Sequence, residues 1–472
     1  MAKYFEKVTP ESCGVDSRDL LKMIEGMEDM PEEKETHGFM LIRHGKLLTE
    51  GWFSPYTEDM PHILFSDTKT FTQLAIGFMV REGLVTIEDK IADYFPDKLT
   101  EATSEYNKNL KIKHLLMMAT GHPGNAVHAR GKFSDEEYDK LREFFASETI
   151  DEPGTVFQYE NIASYVLSNL VSRLTGKNIV EYLKPRFLDP LDIAVDYYSA
   201  DENGVCMGYS GFRITLEALA KVGQFFLDEG VWEGKQILPK EWCRQAISKH
   251  AECIGPCGSD WNQGYAWHLW RGRYNTARLC GAYGQMCVIA PDLDLIFATN
   301  SGANYNRLQY ILDNFYENVM LKIKDEPLEE NQVGNIKLEN KISRLKLQNA
   351  FAPLSPRVNE LSGKEIKFDK ILKYDSLKLD FTKQECKVTL MGDKTISFDA
   401  GLEEPKETVV DCGGFVSIDP DKSEIFSASA YFDKDDKFVI TARILQTVTI
   451  VKIEIDANEN VKIYTLRGRL GD

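Results

Sequence analysis

The sequence predicts a mixed helix and strand region of α/β or α+β class, followed by a small antiparallel all-β barrel or sandwich. Three observations carry this prediction. Up to about residue 320, helical periodicities alternate with short apolar runs. A polar, charged stretch, KIKDEPLEENQVGNIKLENK at 322–341, then interrupts the pattern. From about residue 363 the periodicity becomes that of strands. The division is therefore 1–325, a linker at 326–362 that carries at most a turn of helix, and 363–472.

The first strong element is SDTKTFTQLAIGFMVREG at 66–83, where Phe71, Leu74, Ala75, Phe78 and Met79 recur at helical spacing and Gly83 is a natural stop. A second helix follows Tyr159–Glu160–Asn161, with Ile162, Tyr165, Val166, Leu170 and Leu174 on its apolar face. Residues 286–290 and 295–299 read as buried strands joined by a turn at 291–294. In the last region Phe438, Ile440 and Ala442 alternate with Val439, Thr441 and Arg443. Val451, Ile453 and Ile455 alternate with Lys452, Glu454 and Asp456, and DANEN turns the chain into Val461 and Ile463. No short-period repeat is present.

Composition narrows the function. The 472 residues are 43% hydrophobic and 28% charged, which is globular, and the formal net charge of -18 repels phosphate backbones, excluding nucleic acid as the expected partner. No run of about 18 apolar residues predicts a membrane span, and the N-terminal MAKYFEKVTPESCGVDSRDL has no signal-like apolar core. Nine scattered cysteines then read as reduced thiols in a cytoplasmic protein. Cys253 and Cys257 form a C-x3-C pair without a partner pair, so neither a metal nor a cofactor is expected.

The chemistry is concentrated at Ser66–x–x–Lys69. On the predicted helix these residues are i and i+3 and share a face. A serine hydroxyl needs a neighbour to take its proton. A lysine does so only when neutral, which burial or nearby positive charge promotes. The helix N-terminus adds a favourable field for a developing oxyanion. Spacing alone leaves open a helix-capping serine beside a solvated lysine, and a second match, Ser343–x–x–Lys346, reads as chance. Tyr159 could relay a proton and Asn161 could orient a carbonyl, or the one packs and the other caps. CGAYGQMCVIAPDLDLIFATNSG, from Cys280, could supply an oxyanion-hole N–H or be a plain hairpin.

The three motifs in this order resemble the β-lactamase-related serine hydrolases: class C β-lactamases, D-Ala-D-Ala carboxypeptidases and β-lactamase-fold esterases. The likeness runs over roughly residues 10–320, through LKIKHLLMMATGH, FLDPLDI, SGFRITLEALAKVGQFFLDEGVWEGKQILPKEW and GYAWHLW. It implies an α+β fold with a central antiparallel sheet flanked by helices, plus a helical lobe, with the active site between them. It implies Ser66 as acylated nucleophile, Lys69 as base or proton relay, Tyr159 as second general base, and Asn161 as a substrate contact. The N–H groups of Ser66 and Gln285 would form the oxyanion hole.

Two departures stand out. The family's Lys-Thr-Gly or His-x-Gly triplet reads Ala282–Tyr283–Gly284 here, so the cation or imidazole is missing. That argues against penicillins and D-Ala-D-Ala ends and for a neutral ester or amide, with Tyr283 as a contributor. Asp67 follows the serine directly; since i and i+2 point apart on a helix, its effect on Lys69 is expected to be minor. Residues 363–472 resemble the small C-terminal β-barrel of some members, which covers the active-site mouth or mediates dimerisation.

The leading expectation is a serine hydrolase acting through an acyl-enzyme on a small ester or amide. A D-Ala-D-Ala carboxypeptidase or β-lactamase shares the chemistry but requires export. A binding protein that has lost catalysis is the third reading. Loops at 121–134 and 251–263 shape the pocket; within them His122, His128 and Trp261 are candidate substrate contacts or ordinary packing residues. A homo-oligomer is compatible with the sequence.

Overall fold

The structure, a computed structural model, describes residues 4–29, 35–124, 139–255, 259–303, 308–371, 373–411 and 423–467. Its fold is α+β, with an all-β C-terminal portion. The first portion is built on a seven-stranded sheet of β1 (Glu6–Lys7), β2 (Thr36–Arg43), β3 (Lys46–Trp52), β4 (Trp270–Arg271), β5 (Ala277–Gly281), β6 (Gln285–Ala290) and β7 (Leu295–Ser301). Their spatial order is β1-β3-β2-β7-β6-β5-β4. All pairings are antiparallel except β1 with β3. The sheet thus closes chain segments from both ends of the first 301 residues onto one another.

The central strands bury both faces, which is why their sequences are nearly continuous apolar runs. Phe39, Leu41, Val288 and Phe297 face helices α1 (Ser17–Glu28) and α5 (Leu308–Asn318). Met40, Ile42, Cys287, Ile289 and Ile296 face the larger core, which includes α2 (Thr68–Arg81), α3 (Asn161–Thr175) and α4 (Leu216–Leu227). Period-two alternation splits each strand between these two cores. Helix α2 is buried nearly all round, its polar residues Thr68, Lys69, Thr70, Thr72 and Gln73 included. A helix in that position is central scaffolding, and here it carries the Ser-x-x-Lys motif.

Segment 326–362 is more ordered than its composition suggests. Gln332–Ile342 forms an eleven-residue helix packed on α1, with Leu338 buried, and Leu345 and Leu347 join the same core. The charged residues of the segment cover the outer surface, so the few inward leucines were masked in the composition.

The C-terminal strands, from Glu365–Ile371 to Val461–Arg467, form one nine-stranded sheet in which most sequence neighbours pair antiparallel around a filled core. Phe438–Ile444 and Ile450–Ile455 lie where alternation placed them. Among the described residues no helix is long and apolar enough to cross a membrane.

Candidate active site

The chain approaches the motif through His62–Ile63, which pairs antiparallel with Arg213–Ile214. Phe65 then takes a left-handed conformation, φ 48°, uncommon for a bulky residue and found at functional turns. A 3-10 turn, Phe65–Asp67, presents Ser66 half-buried at the head of α2. Lys69, one turn on, is 1% exposed. Its Nζ lies 2.8 Å from Ser66 Oγ and 3.0 Å from the carbonyl oxygen of Tyr209.

Burial is the largest influence on Lys69 and lowers its pKa from the ordinary lysine value to about 7, although the charges of Asp67 and Cys280 pull the other way. A neutral amine has two N–H donors and one lone pair. One N–H suits the Tyr209 carbonyl, and the lone pair can accept the Ser66 proton. Asp67 is fully buried with neither carboxylate oxygen hydrogen-bonded, and burial pushes its pKa well up. Residues 65–67 form a 3-10 turn and not the helix itself, and an ionised Asp67 would favour the protonated form of Lys69.

Tyr159 enters from the segment before α3. Lys69 Nζ sits 4.9 Å from its ring centroid, and the ring stacks on Trp270 at 5.8 Å and 19°. A cavity of about 380 Å³ brings Ser66 and Tyr159 together with Trp261, Trp270 and Leu308, and with Cys280, Gly281 and Ala282 at the end of β5. Ser66, Lys69, Tyr159 and Ala282 therefore converge. Asn161 opens α3 half-buried, outside that lining.

The rest of the third motif is placed differently from the sequence reading. Ala282–Gly284 is the turn linking β5 to β6, and Gln285 pairs back with Gly281 across it. Tyr283, at φ 64°, turns its ring to Phe65 at 5.3 Å, and its carbonyl accepts from the Ala303 N–H at 2.8 Å. Gly284 is buried against Ser301. Gln285 is fully buried, its side-chain amide donating to the carbonyls of Ser301 at 2.7 Å and Ala282 at 3.1 Å. The triplet facing Ser66 is thus Cys280–Gly281–Ala282. Gln285, expected from the sequence to give its N–H to the oxyanion hole, is not among the residues that line the cavity, whereas Ala282 is.

The sequence reading missed the Tyr209 carbonyl, Trp270 and the Cys280 side chain, while Gly281, one of the glycines expected to allow close approach of a ligand, does line the cavity. Trp270 lies in GYAWHLW, the segment just before β5, which was the available signal. His268, in the same segment and fully buried, lies with Nδ1 3.0 Å from the Lys69 carbonyl oxygen and is held down to a pKa of about 3 by burial. Neutral, it donates that Nδ1–H to the carbonyl and braces the helix. Trp261 does line the cavity. His122 does not; its Nε2 lies 2.9 Å from Asn107 Oδ1 in the core. His128 and Cys257 lie outside the described residues.

The sequence profile of the family described as Beta-lactamase matches residues 27–314, more than half of the chain. The chain belongs to the beta-lactamase family. This beta-lactamase-family chain is 24% identical over 257 residues to the 6-aminohexanoate-dimer hydrolase of Paenarthrobacter ureafaciens, covering 52% of this chain and 65% of that protein. It is 26% identical over 167 residues to Protein flp of Staphylococcus aureus strain MW2, covering 33% of each. The chain thus spans less than two thirds of these curated relatives. Among solved structures, EstCE1, titled a hydrolase with promiscuous acyltransferase activity, matches with TM-score 0.52 at 15% identity over 64% of this chain and 99% of that one. SurE with D-Leu matches with TM-score 0.51 at 15% identity over 88% of this chain and 94% of that one, a likeness in fold that extends beyond the family match. The beta-lactamase family includes named hydrolases, and the fold is theirs.

Proposed function

We propose that this protein is a serine hydrolase that forms an acyl-enzyme at Ser66 on a small, neutral ester or amide. The observation that carries the reading is the 2.8 Å contact between Ser66 Oγ and a dry Lys69 amine whose pKa is lowered to about 7. Lys69 takes the serine proton as Oγ attacks the carbonyl carbon. The oxyanion is received by the N–H groups of Ser66 and Ala282, the second replacing Gln285. Tyr159 passes a proton to the leaving group and activates the deacylating water, and Asn161 orients the substrate.

The described lining offers three aromatic rings and Leu308 but no charged side chain, which supports a neutral, apolar acyl group. An anchor for a substrate carboxylate, which the carboxypeptidase or β-lactamase reading requires, is lacking among those residues. The 6-aminohexanoate dimer named for one relative is joined by an amide bond, which supports an amide as the bond cleaved. The assembled serine and lysine speak against a binding protein without catalysis. The seven described cysteines are all free, which fits a reducing compartment.

A fluorophosphonate should add one adduct to Ser66, a short-chain nitrophenyl ester should be hydrolysed, and Ser66→Ala should lose both. Equal turnover by that variant defeats the assignment. The pH profile offers an independent check. The base works neutral, so kcat/KM should rise with pH up to about 7 and then level. Burial favours the neutral form of Asp67, so Asp67→Asn should leave the acid limb nearly where wild type has it. A limb moved to lower pH would mean that Asp67 is ionised and its charge favours protonated Lys69.

A further inference from the structure

The catalytic turn is held by one short segment, residues 208–214. The Tyr209 carbonyl accepts from Lys69 Nζ at 3.0 Å, and the Gly208 carbonyl accepts from Thr72 Oγ1 at 2.7 Å. The Phe212 carbonyl accepts from the Leu64 N–H at 2.8 Å, while the Phe212 N–H donates to Thr68 Oγ1 at 3.2 Å. The segment therefore grips the backbone before Ser66, the helix after it, and the base.

That segment is in turn fastened from the C-terminal sheet. Arg213 Nη2 meets Glu424 Oε1 at 2.5 Å, with the two side chains 1% and 0% exposed. Beside it, the Ile63 N–H donates to the Gln446 carbonyl at 3.0 Å, and Leu445 of the same turn is buried in the core of the first portion. A fully buried ion pair is a poor way to gain stability, since desolvating two charges offsets most of their attraction and an apolar pair would hold the surfaces at least as well. What it supplies is direction: one guanidinium pinned to one carboxylate fixes the strand that carries it.

We propose that Glu424, in the C-terminal sheet, is a positioning residue of the catalytic centre. Acting through Arg213, it sets residues 208–214 and thereby the Tyr209 carbonyl against Lys69 and the backbone on both sides of Ser66. The inference rests on the acyl-enzyme reading above. It makes the C-terminal sheet a part of the active site's framework, acting from behind the serine.

The test uses the full chain. Wild type and Ser66→Ala are first treated with a fluorophosphonate: an adduct on the first and none on the second secures the underlying reading, and its absence from wild type sinks that reading separately. Glu424→Gln is then compared per labelled site. The expected result is a kcat lower by about 10²-fold with KM within about twofold, the signature of a displaced nucleophile and base. Because an uncompensated buried arginine can unfold the chain, the double variant Arg213→Met with Glu424→Leu is measured beside it. It should recover the melting temperature without recovering kcat, and Glu424→Asp should recover part of kcat. Wild-type kcat per labelled site in the folded double variant, or in Glu424→Gln, overturns the proposal, because a contact that merely stabilises lowers the folded fraction and leaves each folded site at full rate.

Discussion

Lys69→Met is expected to fold as the wild type does and to lose turnover by about 10⁴-fold, the upper end of what general-base catalysis contributes. Both halves follow from burial. The Lys69 amine is 1% exposed and its charged form is disfavoured there, so a neutral side chain of similar length relieves that desolvation. Against this, the Tyr209 carbonyl loses its donor at 3.0 Å, costing about 1 kcal/mol. The terms oppose, and the melting temperature should move little. Turnover responds differently, because the Lys69 amine is hydrogen-bonded to Ser66 Oγ at 2.8 Å and is placed to take its proton. Rapid-quench measurement of the acylation burst, alongside thermal unfolding, separates the two. A burst at wild-type rate removes Lys69 from the mechanism, and a collapse in melting temperature would show it to be mainly structural.

Gly281→Ala should damage both stability and turnover. Gly281 has an ordinary backbone, φ -95°, so the cost is contact and not conformation. A Cβ there would sit 2.1 Å from the carbonyl oxygen of Leu64 and 3.2 Å from Gln285 Cβ. Leu64 is two residues before the nucleophile, and its N–H is bonded to Phe212. Either β5 or the catalytic turn must move. Overpacking of this kind costs about 1–3 kcal/mol in stability, and a displacement near 1 Å at the nucleophile costs about 10²-fold in rate. The fluorophosphonate labelling rate per folded molecule reads the second effect directly; a rate equal to wild type would mean that β5 does not press on the turn.

The two helices at 68–81 and 161–175 were legible because their apolar residues keep a helical period over several turns and their ends carry stop signals. The strand pair at 285–290 and 295–301 was legible from its apolar run and the turn between. The helix at 332–342 was not, since its outward charges outnumber the one buried leucine. Within the site, Ser66, Lys69 and Tyr159 could be nominated from residue type and spacing, because the acylating chemistry needs those groups. The third motif shows the limit. Sequence pattern took Ala282, Tyr283, Gly284 and Gln285 as one functional stretch, yet the cavity is lined by Cys280, Gly281 and Ala282, which share with it only the alanine.

By itself the sequence determined the order of elements, the change to an all-strand C-terminal portion, and which nucleophile and amine lie one helical turn apart. These are local properties, written in periods of two and 3.6 residues and in side-chain chemistry. Tertiary structure alone decided that Lys69 is buried beside Ser66, that Tyr159 and Ala282 share the serine's cavity, and that Glu424 reaches Arg213 from more than two hundred residues away. Each of those depends on what surrounds a group in space, because burial, register and the partner of a buried charge are set by distant segments meeting and not by the residues next along the chain.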